Sequence, residues 1–198
     1  MGKHQKERKD LSAEGMLQAV RRVFTTVPEQ LRDKRGLKKT IPIGDCLMAG
    51  LAIFGLKYPS LLQFDRSQED KTKKHNLQTL YKLKKIPCDT YLRERLDLCD
   101  PRYLRQGFTK IFSFLQRGKV LEDYRFLNQY ILIACDGTGM FSSEKIHCEN
   151  CCIKKHRDGR TTYYHQMLAG VVVHPDHKEV FPLCPEPIVK QDGHTKND

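Results

Sequence analysis

Two hydrophobic periods divide the chain. Up to about Asp123, apolar positions recur every three or four residues; beyond it they form continuous or alternating strings. In "LSAEGMLQAVRRVFTTV", Met16, Leu17, Val20, Val23 and Phe24 share one helical face, and the pattern stops before Pro28. "IGDCLMAGLAIFGL" is almost wholly apolar and predicts a short helix at the centre of a helical core. "KTKKHNLQTLYKLKKI" is amphipathic and strongly basic. "CDTYLRERLDLC" follows Pro87, with Asp89 suited to an N-cap and Leu92 and Leu96 facing inward. "PRYLRQGFTKIFSFLQRG" opens on a proline, a favourable first helical residue, and ends near Gly118.

The second part reads as strands. "RFLNQYILIACDG" predicts a first strand, buried on both faces, that ends at Asp136. "TTYYHQMLAGVVVHPD" predicts a second, ended by a Pro-Asp turn. "KEVFPLCPEPIV" predicts a third, broken by prolines and so near an edge. The polar text between the first two, "MFSSEKIHCENCCIKKHRDGR", predicts a connection with a turn at Asp158–Gly159. The pattern therefore predicts an α+β protein: a helical domain over residues 1–123 and a three-stranded antiparallel meander over 124–198.

Composition narrows the class. No apolar run approaches the roughly 18–20 residues that span a bilayer, and the charged start "MGKHQKERKD" has no apolar stretch behind it, so no membrane partner and a cytoplasmic location are expected. Of the eight cysteines, Cys46, Cys88, Cys99, Cys135 and Cys184 stand singly, as reduced thiols among apolar residues do. The net charge of +11 is unevenly placed. Residues 1–125 carry 27 Lys/Arg against 15 Asp/Glu, a net +12, whereas residues 126–198 carry 8 against 9, a net −1. A basic module beside a neutral one points to a polyanion partner, nucleic acid above all, which would place the protein with the nucleoid. A basic surface kept for solubility would give the same numbers.

Three groups of residues carry candidate chemistry. Helices over 75–84 and 89–97, joined by the short "KIPC" link, allow a helix-turn-helix. Thr90, Tyr91, Arg93, Glu94 and Arg95 would then face a groove, and Lys82, Lys84 and Lys85 would meet phosphates. An ordinary packed helix pair with charged outer faces fits the same text. In "IHCENCCIKKH", Cys148 and Cys151 have the spacing of a zinc-binding pair, flanked by His147, Cys152 and His156. No second pair completes a tetrahedral set, so a reduced thiol cluster competes with a Zn2+ site; His165, within strand text, reads as a structural histidine. Finally, a carboxylate at the end of a buried strand is costly unless a partner or metal stabilises it, so Asp136 before Gly137 suggests a Mg2+ ligand. An Asp-Gly turn that caps its own loop is the alternative.

The strings "IPCDTYLRERLD", "ILIACDGTGMFSS", "IHCENCCIKKHRDG", "TTYYHQMLAGVVVHPDHKEVFPLCPEPI" and "KQDGHTKND" together resemble a bacterial insertion-sequence transposase of the DDE type, over roughly the last two-thirds of the chain. The resemblance implies an RNase H-like catalytic domain behind a helical DNA-binding region. It also implies two divalent metal ions, Mg2+ or Mn2+, held by three acids in a two-metal mechanism of DNA nicking and strand transfer. Asp136 matches the first acid. The second belongs to a fourth strand beside the first, and the text after Val189 is too short for the crossover that would reach it. The expectation is thus a truncated RNase H-like domain: the front part of a transposase, inactive alone. Its partners would be transposon-end DNA, a second copy or intact transposase. A non-catalytic regulator that occupies transposon ends or inhibits the intact enzyme is the alternative expectation.

Overall fold

A computed structural model describes residues 11–29 and 41–188. Among the described residues the architecture is α+β, six helices followed by an antiparallel sheet, and the chain divides into two compact units, Met1–Gly118 and Lys119–Asp198.

The helical unit holds α1 (Ala13–Phe24), α2 (Ile43–Gly55), α3 (Leu61–Arg66), α4 (Lys71–Thr79), α5 (Asp89–Asp97) and α6 (Arg105–Arg117). α2 is its centre, as its apolar text predicts: Cys46, Met48, Ala49 and Ala52 are wholly or almost wholly buried. Val20 and Phe24 of α1, Phe64 of α3, Leu77 of α4 and Leu92 of α5 join them in one core. Each large side chain so buried contributes about 1.5–3 kcal/mol. α1 and α2 pass so close that a Cβ on Gly44 would stand 2.9 Å from the Phe24 carbonyl oxygen. α3 has no counterpart in the sequence reading. At six residues it is too short to show a period, and Ser60 starts it by accepting a hydrogen bond from the Gln63 amide at 3.1 Å.

The second unit contains β1 (Arg125–Phe126), β2 (Tyr130–Ser143), β3 (Cys152–Lys155), β4 (Thr161–Val173), β5 (Phe181–Pro182) and β6 (Glu186–Ile188). β4 is the central strand. β2 pairs with it from Leu132↔Val173 to Ser143↔Tyr163, and β3, β6 and β5 follow one another along its other edge, all antiparallel. The third expected strand is thus two short ones, interrupted at Leu183–Pro185. β3 lies within the text expected as a plain connection. It joins β4 through the expected Asp158–Gly159 turn, where Gly159 takes φ +85° and the Arg160 amide donates to Asp158 at 3.1 Å.

The first strand departs most from expectation. β2 runs six residues past Gly137, because β4 continues to pair with it, and the register shifts around Met140, a β-bulge. Nor is β2 buried: Ile131 and Ile133 are 39% and 52% exposed. Among the described residues of this unit no second layer covers the sheet, and the apolar residues withdrawn from water are few: Tyr124, Cys151, Cys152 and Val172.

Candidate functional site

Asp136 stands in the middle of β2, opposite Ala169, with its side chain exposed. One carboxylate oxygen accepts the Gly137 amide at 2.7 Å. The predicted burial of this acid is corrected: a solvated carboxylate needs no metal to offset desolvation. Gly137 and Gly139 have nothing within 4 Å of an added Cβ, so the surface beside the carboxylate is open. Among the described residues, Asp136 belongs to no group of three side chains placed to share a metal ion.

Cys148, Cys151 and His165 form such a group. The loop between β2 and β3 doubles back over the sheet, and the Cys151 amide donates to the Cys148 carbonyl at 3.2 Å, which brings both thiols to one side of the turn. His165, on β4 opposite Phe141, turns its Nε2 toward them. The separations are 3.7 Å between the two sulfurs, 3.4 Å from Cys148 Sγ to Nε2 and 3.3 Å from Cys151 Sγ to Nε2. The Cys148 amide also donates to Cys151 Sγ at 3.3 Å. Cys151 is buried and Cys148 exposed, so the cluster has a closed side and an open one. Burial, reinforced by the neighbouring thiols, pushes the Cys151 thiol up from its ordinary value.

The flanking residues considered from the sequence are elsewhere. His147 stacks on Tyr163 with ring centroids 4.3 Å apart, Cys152 directs its thiol to the Ile188 carbonyl, and His156 Nε2 meets the Thr162 hydroxyl at 2.8 Å. Sequence reasoning missed His165 as a partner of the thiols because fourteen positions separate it from Cys151. Strand alternation carries the signal. His165 shares a face of β4 with Tyr163, on which the loop residue His147 lies.

The basic helices depart from a helix-turn-helix. α4 ends at Thr79 and α5 starts at Asp89, so the link is 80–88 rather than four residues. The chain leaves the helix because Lys82 adopts φ +55° and the Leu83 amide reaches back to the Leu77 carbonyl at 3.2 Å. Lys82, Lys84, Lys85, Thr90 and Arg93 are exposed. Thr90 donates through its amide and hydroxyl to Asp89 at the start of α5. Arg95 is not a surface residue. It is 8% exposed and pairs with Glu29, which also accepts the Ile43 amide at the start of α2. The Tyr91 hydroxyl is likewise committed, exchanging hydrogen bonds with the Ile41 backbone at 3.2–3.3 Å. These two residues join elements of the core, and neither is offered to a groove.

Comparison of the chain with protein-family models, with curated proteins and with solved structures finds no match.

Proposed function

We propose that this chain is the DNA-binding front part of a DDE-type transposase. In this reading the helical unit grips the phosphate backbone and the sheet unit is the first part of an RNase H-like domain. Asp136 is the first of its acids for Mg2+ or Mn2+. The observation that carries the reading is the stretch 71–88: it contains six lysines and no Asp or Glu. All six, Lys71, Lys73, Lys74, Lys82, Lys84 and Lys85, are exposed. Such a stripe supplies phosphate contacts, which position a protein on DNA without reading bases. The loss of Arg95 and Tyr91 to the core favours this over a base-reading helix.

Two features support the catalytic half. Asp136 is exposed beside two glycines that leave room for a metal-bound phosphate. From Leu132 onward β2 has a partner along one edge only, β4, among the described residues, which leaves the other edge for the parallel strand of that fold. The second and third acids of that family have no counterpart among the described residues.

The test is duplex-DNA affinity, followed by fluorescence anisotropy between about 50 and 200 mM salt, where each phosphate contact adds about −0.9 to the slope of log K against log salt. The joint change Lys82→Gln, Lys84→Gln and Lys85→Gln is expected to flatten the slope by about 2.7 if all three meet phosphates. Asp136→Asn is expected to leave affinity unchanged. Affinity that does not fall as salt rises removes the reading.

A further inference from the structure

We propose that Cys148, Cys151 and His165 bind one Zn2+ through two thiolates and the imidazole Nε2, with water as the fourth ligand. A tetrahedral zinc with Zn–S of about 2.3 Å and Zn–N of about 2.05 Å requires S···S of about 3.8 Å and S···N of about 3.6 Å. The three separations, 3.7, 3.4 and 3.3 Å, each lie within about 0.3 Å of those values, so one face of the tetrahedron is already assembled. A disulfide would need the sulfurs at about 2.05 Å, and all eight cysteines are free.

The donor set selects the metal. Two thiolates and an imidazole are soft to borderline donors, suited to zinc and not to the oxygen-seeking Mg2+ or Mn2+ expected at Asp136. The two sites are therefore chemically separate. Asp136↔Ala169 and Phe141↔His165 put them at different registers of the β2–β4 pair, on the same face by strand alternation. Binding exchanges two thiol protons for the cation and releases them to solvent, so no oxidant or reductant is involved.

The ligands come from two elements that the stacking of His147 on Tyr163 also joins. Cys148 and Cys151 lie on the loop that follows β2, and His165 lies in the central strand. Around them, the Ser143 hydroxyl accepts the Lys145 and Ile146 amides at 3.1 and 2.9 Å, and Ile146 is 70% exposed. Beyond Cys151 and the His147–Tyr163 stack, little burial holds this loop down, and a metal clip adds a further tie to β4. With Cys148 on the open side, the fourth position is accessible to solvent, which is why water occupies it.

The experiment uses the full chain, purified under reducing conditions without added chelator. Metal analysis is expected to give one zinc per chain. Titration of the apo chain with Co2+ is expected to give strong visible absorption of four-coordinate cobalt and a thiolate-to-cobalt band in the near ultraviolet. His165→Asn and Cys148→Ser are each expected to lose stoichiometric uptake, while His147→Gln and His156→Asn keep it. A wild-type chain that takes up no zinc, or gives only the pale spectrum of six-coordinate cobalt, overturns the proposal even if a variant fails to fold. So does a folded His165→Asn chain that retains zinc.

Discussion

At the residue scale, the helical core contains one thiol in an unusual state. Cys46 lies in α2 with no exposed surface. Burial pushes its thiol from 9.0 up to about 11, against the opposing pull of the nearby Arg95 guanidinium. The folded value lies above the unfolded one. The stabilising contribution is therefore fully present below pH 9 and is lost as pH rises toward 11, where the unfolded chain releases a proton that the folded chain keeps. The loss amounts to about 1.4 kcal/mol per pH unit at most. Cys46→Ala is expected to be less stable than the wild type at neutral pH because of the cavity it leaves. Its deficit should narrow between pH 9 and 10.5, the part of the window where the protein survives. Urea unfolding of both proteins across that range checks this, and a constant deficit means the thiol ionises as easily folded as unfolded.

At the element scale, α4 has little support from packing. It buries Leu77 alone, and the rest of its surface is basic and polar. Its start is fixed by Asp70, whose carboxylate accepts the Thr72 and Lys73 amides at 2.9 and 3.1 Å. Asp70→Ala is expected to cost about 1 kcal/mol in chemical unfolding. Asp70→Asn, which keeps an accepting oxygen, should recover most of it, and equal losses in both would mean that charge and not the cap is at work. α4 also shows where the sequence was legible. The helical period found the helix, but its end was set by the backbone of Lys82 and by a reach from Leu83 to Leu77, which hydrophobic spacing does not encode. The same division runs through the sites. A Cys-x-x-Cys pair is local and readable, whereas the imidazole that meets it depends on strand register across fourteen positions. Arg95 looked like a surface cation on an amphipathic helix. Its burial depends on Glu29, 66 residues away, a pairing that no local pattern announces.

At the scale of the whole molecule, the two units are built on different terms. The helical unit closes around α2, while the sheet unit leaves large apolar side chains in water. Leu127, Tyr130, Ile133, Met140, Ile146 and Leu168 are each at least 47% exposed. The apolar string that sequence reading assigned to a buried strand is thus real, but nothing else within its own unit covers it among the described residues. Its edge is open as well, since β2 beyond Ile131 pairs only with β4 there. An exposed, apolar strand with unpaired amides and carbonyls is a template for another strand. The isolated chain is therefore expected to self-associate through β2 as its concentration rises. Ile133→Lys puts a charge on that strand without touching the thiol cluster, and is expected to shift sedimentation velocity profiles toward monomer at equal loading. Mutation of Phe54, 82% exposed on α2 of the helical unit, should leave association unchanged. A wild-type chain that stays monomeric at high loading, with β2 amides protected from hydrogen exchange, would show that another part of the protein covers this edge.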